Sequence, residues 1–252
     1  MQTTIDELKQ AVRAALPELE QPVAQAKGLP AFVYSSPEWF EAERKAIFAK
    51  GWMAVAFMSD VPEPGSIAPI EIAGWSLLVT RARDNEVRVF HNICPHRGMR
   101  LVGEPKTRCG GVTCPWHAWT FDLKGKLIAT PNIGGPGTRT QDGFERETHG
   151  LKEVRTAVWL DVVFVNMDGQ APPIEEYTAS FRDRLSDFDL SKTAFSPLAY
   201  EYDYACNWKI AVEGGIEDYH IPFVHSQLGP GGKFFAEFGD DSHVGIYCRR
   251  TV

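Results

Sequence analysis

The chain has 252 residues, of which 44% are hydrophobic and 23% charged, a composition typical of a folded globular protein. Its formal net charge is −7, which disfavours nucleic acid or an anionic membrane surface as a partner. Residues 1–26 contain acidic side chains and no continuous apolar core, so neither a signal peptide nor a membrane span is expected there. The five cysteines are an odd number, which favours free thiols and the reducing cytoplasm.

Helices are predicted at the start of the chain. Thr4 and Glu7 have the spacing of a capping box, and the apolar residues that follow fall on one helical face. A second helix is expected to begin at Ser36, with Pro37 at its first position, and to end at Gly51.

Short strands are predicted from Trp52 onward, where residues with high β propensity alternate with turn residues. The predicted strands are Trp52–Phe57, Trp75–Thr80, Glu86–His91 and Val158–Val165, and residues 121–127 are predicted to form a hairpin that turns at Lys124-Gly125. The glycine-rich run 132–137 is expected to be a surface loop. Beyond two consecutive prolines, a helix is expected over Ile174–Leu185 and a strand over Leu198–Tyr204.

Two short runs offer metal ligands. Cys94 and His96 are separated by one residue, Cys114 and His117 by two, and 17 residues lie between the pairs. Each run supplies one thiolate and one imidazole, which favours a Rieske [2Fe–2S] site, where two histidines replace two cysteines on one iron. The alternative is a structural zinc site, although common zinc patterns place both cysteines in one knuckle. Cys109 has no histidine beside it and is interpreted as a buried thiol.

A second group of candidate ligands lies near the carboxyl end. Glu217, His220 and His225 supply one carboxylate and two imidazoles, a set that suits a mononuclear ferrous iron with open coordination positions. Glu217 and His220 would share a helical face, and Pro222 would end or kink that helix so that His225 can return to the metal. The alternative interpretation is a pair of hydrogen-bonded histidines near a helix end.

The residues around both sites resemble one known family. The runs CPHRGMRL (94–101) and CPWHAWTFDLKGKL (114–127) are similar to the Rieske domain of ring-hydroxylating oxygenase alpha subunits. Asn207-Trp208-Lys209, followed by residues 217–225, resembles the iron-binding helix of the same family. Ala118 departs from the glycine that is common there, so its loop is either in an ordinary conformation or slightly strained. Met99 and Trp116 occupy the positions of the extra disulfide of respiratory Rieske proteins, which favours the oxygenase branch.

The resemblance implies an α+β chain. It consists of an antiparallel β Rieske [2Fe–2S] domain at 45–165 and the incomplete N-terminal part of a helix-grip (START-like) catalytic domain at 166–252, with which a helical segment at 1–44 is associated. The cluster would be held by Cys94, His96, Cys114 and His117. The mononuclear Fe(2+) would be held by His220 and His225. Glu217 would connect His220 to a cluster histidine, His117 of the partner subunit. The family's third iron ligand is an aspartate far downstream; Asp240 and Asp241 lie too near, so a truncated chain is expected.

The resemblance also implies a function, the terminal oxygenase component of a Rieske oxygenase. Electrons from NAD(P)H would arrive through a reductase, with or without a ferredoxin, and O2 would be used to mono- or dioxygenate or dealkylate a small organic, commonly aromatic, substrate. A homotrimer is implied, with or without beta subunits.

The first alternative function is a monooxygenase of the same family that acts on carnitine or betaines. The glutamate at 217 and its spacing from Glu213 resemble those members. A Rieske electron carrier without oxygen chemistry and a truncated, non-catalytic partner are the others. Arg97 and Trp116, which flank the cluster residues, are interpreted as packing residues rather than as docking contacts.

Overall fold

The structure is a computed structural model and describes residues 4–22, 24–192, 203–216 and 220–224. These residues belong to two compact units: one contains residues up to Ala46 together with 203–216 and 220–224, and the other contains 47–192. In the described ranges, no helix has both the length and the apolar character that a bilayer crossing requires.

Three helices come first along the chain, nine strands follow, and four more helices come after the last strand in the described residues. The helices are α1 (Ile5–Leu19), α2 (Phe32–Ser35), α3 (Pro37–Glu43), α4 (Ile174–Tyr177), α5 (Ala179–Arg184), α6 (Trp208–Ile216) and α7 (Ile221–Val224). The strands are β1 (Met53–Phe57), β2 (Ile67–Ile72), β3 (Trp75–Arg81), β4 (Val87–His91), β5 (Val112–Thr113), β6 (Thr120–Phe121), β7 (Leu127–Ala129), β8 (Glu153–Trp159) and β9 (Val162–Asn166).

The predicted starts of α1 and α3 are confirmed. Thr4 caps α1 in a capping box with Glu7, whose N–H donates to the Thr4 hydroxyl at 3.3 Å. Ser36 caps α3 and Pro37 is its first residue. The helix continues beyond α3 as a π-helical segment, Arg44–Phe48, before the chain reaches Gly51. The helix predicted over Ile174–Leu185 is present as α4 and α5, which meet at Thr178.

The second unit contains two antiparallel sheets. The larger sheet has six strands in the order β1-β9-β8-β4-β3-β2, and the smaller has three in the order β5-β6-β7. The predicted hairpin over 121–127 is confirmed by the pairing of β6 with β7, and Gly125 at its turn has a φ of +81°. A Cβ on Gly125 would lie 2.5 Å from the Phe90 ring, so only glycine fits between this turn and the core. Strand β2 is not evident from the sequence because it contains Pro69, which the edge of a sheet tolerates.

One strand prediction is wrong. The apolar run Val158–Val165 is not a single strand; β8 and β9 form a hairpin, and Leu160 and Asp161 occupy its turn with φ values of +49° and +62°. Hairpin turns with two positive φ values usually contain Asn-Gly or Asp-Gly, so an apolar residue at the first turn position hides the reversal. The strand predicted over Leu198–Tyr204 lies almost wholly outside the described residues.

Candidate functional site: two cysteine–histidine loops

Two loops of the second unit contain the predicted cluster residues. Loop 1 (Cys94–Met99) follows β4, and loop 2 (Cys114–Trp119) connects β5 to β6. In each loop the N–H of the cysteine donates to the carbonyl of the last residue, at 2.8 Å in both. The N–H of the fifth residue donates to the carbonyl of the cysteine, at 2.9 Å in loop 1 and 3.0 Å in loop 2. The two loops therefore share one backbone hydrogen-bonding pattern although their sequences differ.

The fifth position of each loop requires a left-handed backbone. Gly98 has a φ of +72° in loop 1, and Ala118 has a φ of +55° in loop 2. Of the two conformations considered for the Ala118 loop, the strained one is present. A left-handed backbone costs a non-glycine residue about 1 kcal/mol. Glycine would adopt this backbone without that penalty.

The loops bring the four predicted ligands together in two layers. The Cys94 and Cys114 side chains are buried and adjacent to each other. The rings of His96 and His117 lie outside them, with centroids 4.7 Å apart and an edge-to-face orientation. His96 is exposed and His117 is half-buried. The result is a pair of sulfur donors inside and a pair of nitrogen donors towards the surface.

The electrostatic environment of the inner and outer layers differs. Burial raises the pKa of the Cys94 thiol, the nearby Cys114 thiol adds to that shift, and hydrogen bonds from the backbone N–H groups of His96 and Arg97 oppose it. Partial loss of hydration, together with the positive charges of His117 and Arg97, lowers the pKa of His96.

The arrangement of donors fits a binuclear cluster. In a [2Fe–2S] cluster each iron takes two protein ligands, and in a Rieske centre two histidines replace the cysteines on one of the irons. The adjacent Cys94 and Cys114 thiols and the adjacent His96 and His117 rings supply these two pairs.

The two ends of loop 1 are joined by a buried asparagine, Asn92, which was not predicted as a site residue from the sequence. Asn92 is fully buried, and its side-chain amide donates to the Val102 carbonyl at 2.8 Å while its Oδ1 accepts the Val102 N–H at 3.0 Å. These two bonds tie the residue before the loop to a residue after it. Backbone pairing also flanks both loops: Ile93 bridges Arg100 at loop 1, and Val112 pairs with Phe121 and Thr113 with Thr120 at loop 2.

Each imidazole lies against an indole ring. Trp119 is buried and stacks on His96, with centroids 4.7 Å apart and planes 9° apart. Trp116 stacks on His117 at 4.9 Å, and the Arg97 guanidinium lies 5.9 Å from the Trp116 ring centre. Trp116 therefore contacts both His117 and Arg97, yet it is 55% exposed, so its interpretation as a packing residue stays a prediction. Trp119 was not predicted as a site residue, because its partner His96 is far away in sequence and the contact depends on the position of the other loop.

The second predicted site is described only in part. His220 is half-buried and directly precedes α7, where its carbonyl accepts the N–H groups of Phe223 at 3.0 Å and Val224 at 2.8 Å. Pro222 is the second residue of α7, so it lies inside a helix rather than ending one. The other predicted site residues, Glu217 and His225, lie outside the described residues, as do Asp240 and Asp241.

Two family models match successive parts of the chain. The model of the Rieske [2Fe-2S] domain matches residues 51–143, and that of the ring hydroxylating alpha subunit (catalytic domain) matches residues 196–248. The fold is thus an antiparallel β Rieske domain together with part of a catalytic domain. The chain belongs to the family of Rieske oxygenase alpha subunits.

Relatives with assigned activities extend this result. The chain is 31% identical to the carnitine monooxygenase oxygenase subunit of Acinetobacter pittii (strain PHEA-2), over 88% of this chain and 56% of the relative. It is 33% identical to the alpha subunit of a 2-aminobenzenesulfonate 2,3-dioxygenase from Alcaligenes sp, over 81% of this chain and 51% of the relative. The crystal structure of a quaternary ammonium Rieske monooxygenase is similar with a TM-score of 0.71 and 31% identity, covering 80% of this chain and 57% of that one. The chain spans about half the length of the curated relatives it matches.

Proposed function

We propose that this chain acts as the terminal oxygenase component of a Rieske oxygenase. The observation that supports this most directly is the pair of equivalent loops, which present two buried thiols beneath two imidazoles in a chain whose later part matches the catalytic domain. The activity would be the hydroxylation, by mono- or dioxygenation, or the dealkylation of a small organic substrate with O2.

In this proposal Cys94, Cys114, His96 and His117 hold the [2Fe–2S] cluster. When bound, the cluster supplies one electron at a time to the oxygen chemistry. The backbone N–H groups of His96 and Arg97, which point at the Cys94 sulfur, would stabilise its thiolate. Trp119 would hold the His96 ring in orientation by stacking on it.

The second half of the proposal concerns a mononuclear ferrous iron. His220 and His225 would bind it, and Glu217 would accept imidazole N–H bonds from His220 and from His117 of the partner subunit. A carboxylate between two ligand histidines fixes the tautomer and orientation of both rings. Asp240 and Asp241 are not proposed as the third ligand, because they are too close in sequence to match the family position.

The partners and the compartment follow from the same proposal. A reductase, with or without a ferredoxin, would deliver electrons from NAD(P)H, and a homotrimer, with or without beta subunits, would bring one cluster close to the neighbouring iron. We place the protein in the cytoplasm; none of the cysteines in the described ranges forms a disulfide, which fits a reducing compartment.

We also propose the domain organisation 1–44, 45–165 and 166–252, with the first segment associated with the third. The two compact units support the association of the first segment with the third, because residues up to Ala46 group with 203–216 and 220–224. Residues 166–192 group with the sheets instead, so the second proposed boundary does not coincide with the division into units.

Two substrate classes remain open in the proposal. Aromatic compounds are one, supported by the relative that acts on 2-aminobenzenesulfonate. Quaternary ammonium compounds are the other, supported by the carnitine monooxygenase relative and by the glutamates at 213 and 217. Oxygen uptake with carnitine, glycine betaine and a panel of aromatic acids, each in the presence of a reductase, separates the two classes.

Metal analysis of anaerobically purified protein tests the oxygenase proposal. Three irons per chain and a Rieske electron paramagnetic resonance signal after reduction are expected. Two irons that persist after ferrous reconstitution would contradict an oxygen-activating site in this chain and favour an electron carrier. Zinc without visible absorbance would contradict the cluster itself.

The ligand assignment has a separate test in the redox potential. The double substitution His96→Cys with His117→Cys would convert the site to four cysteines. Rieske centres have potentials of about −150 to +300 mV, and plant-type four-cysteine clusters lie near about −400 mV, so a fall of hundreds of millivolts is expected. A Cys109→Ser variant serves as the control and should keep the parent potential.

A further inference from the structure

A buried ion pair joins the N-terminal helices to α6 within the first unit. The Lys209 ammonium lies 2.7 Å from the Glu43 carboxylate, and the side chains are only 11% and 8% exposed. Residues 43 and 209 are far apart in sequence, and both belong to the same compact unit. A buried ion pair contributes little net stability by itself, because desolvation of both charges offsets their attraction. In some proteins such a pair instead fixes one geometry of the elements that it joins.

The Glu43 carboxylate has a donor on each side. The indole N–H of Trp39 donates to it at 2.8 Å and the indole N–H of Trp208 at 3.0 Å, in addition to the Lys209 ammonium. Two of these three donors, Trp208 and Lys209, are the first two residues of α6. The carboxylate therefore fixes the start of α6 relative to α3.

A second contact ties the next turn of α6. The Tyr34 hydroxyl donates to Glu213 at 2.8 Å, and the Lys209 ammonium lies 5.5 Å from the Tyr34 ring centre and 5.1 Å from that of Trp208. Together these residues form a set that we call the N-terminal clamp. Its members are Tyr34, Trp39 and Glu43 on the N-terminal side and Trp208, Lys209 and Glu213 on α6. It holds two successive turns of α6.

Helix α6 depends on such contacts for its position. It has nine residues, none of them fully buried, and it includes Gly214 and Gly215. Two consecutive glycines weaken a helix, because each loses more conformational freedom than alanine on folding. Among the described residues, the polar contacts with the N-terminal helices hold the first two turns of α6.

We propose that the N-terminal clamp positions the iron-binding segment, and that Glu43 and Lys209 are positioning residues for the mononuclear iron. Helix α6 ends at Ile216, directly before Glu217 and four residues before His220. Its orientation therefore sets where the chain leaves for the ligand histidines. This inference rests on the proposed iron site at His220 and His225.

The test compares single and double variants of the full-length, cluster-loaded protein. Lys209→Met leaves Glu43 buried without its cation, so both thermal stability and affinity for added Fe(2+) should fall, the affinity by about tenfold. Glu43→Gln combined with Lys209→Met removes both charges, so stability should largely recover. Its Fe(2+) affinity should stay about tenfold weaker, because the glutamine can still accept the Trp208 N–H but no longer binds a lysine at residue 209.

Two further measurements identify the cause. Amide hydrogen exchange over residues 208–216 should be faster in both variants, and the Rieske resonance signal should be unchanged. Lys27→Met is the matched control, since Lys27 pairs with Glu18 at 3.1 Å on the exposed surface of the same unit. It should change none of these quantities.

The outcomes separate the two proposals. Recovery of Fe(2+) affinity together with stability in the double variant would show that the clamp only stabilises the fold, and would overturn the positioning role. Unchanged affinity in both variants would do the same. A parent protein that binds no iron beyond the cluster would overturn the iron site and, with it, the positioning role.

Discussion

Loop 1 and loop 2 have the same backbone hydrogen bonds but different supports. Loop 1 has glycine at its left-handed position, an exposed residue at its end, and a buried asparagine that closes it. Loop 2 has alanine at the equivalent position and a buried tryptophan at its end, and two residue pairs flank it where loop 1 has the single bridge of Ile93 with Arg100. The two cysteine–histidine loops therefore share one backbone conformation, whereas the residues that stabilise it differ. Substitutions at equivalent positions should therefore have unequal effects.

The largest difference is expected at the last residue of each loop. Trp119 is buried and stacks on His96, so Trp119→Ala should destabilise the protein by about 3–5 kcal/mol. Met99 is 39% exposed, so the matched Met99→Ala should change stability by about 0.5 kcal/mol or less. Urea unfolding followed by the visible absorbance of the cluster measures both. Equal effects of the two substitutions would contradict the proposed asymmetry.

The closure of loop 1 should have the next largest effect. Asn92→Asp would remove the donor to the Val102 carbonyl and place a carboxylate in the core, which should cost about 3 kcal/mol or more. Asn132→Asp is the control, because Asn132 is exposed and its Oδ1 accepts the Gly137 N–H, a bond that aspartate retains. The control should be close to neutral. A cluster content and unfolding midpoint in Asn92→Asp like those of the parent would show that the loop closes without this amide.

The smallest effects are expected at the left-handed position. Gly98→Ala should cost about 1 kcal/mol, which reflects backbone strain alone, since a Cβ there meets no atom within 4 Å. Ala118→Gly should stabilise the protein by about 0.5–1 kcal/mol, because it relieves the strain in loop 2. The double variant should lie near the parent in unfolding free energy. Shifts of the same sign in the two single variants would mean that the loops are not equivalent at this position.

Much of the fold was predictable from local signals. The capping box at Thr4, the Ser36-Pro37 helix start and the Lys124-Gly125 turn each depend on residues close in sequence, and each is confirmed. The β8–β9 reversal was missed because Leu160 occupies a turn position that is usually polar or glycine. Strand β2 was missed because Pro69 is a local signal against a strand, and its edge position is a property of the whole sheet.

The family and the candidate cluster ligands were predictable from the sequence, since cysteine and histidine at this spacing are chemically specific. The arrangement of these residues depends on the folded chain, which places the thiols inside, the imidazoles outside, and an indole against each imidazole. It also revealed Asn92 and the pairing of Glu43 with Lys209. Those contacts join residues that are separated along the chain, and their strength comes from burial, which no local pattern of residues encodes.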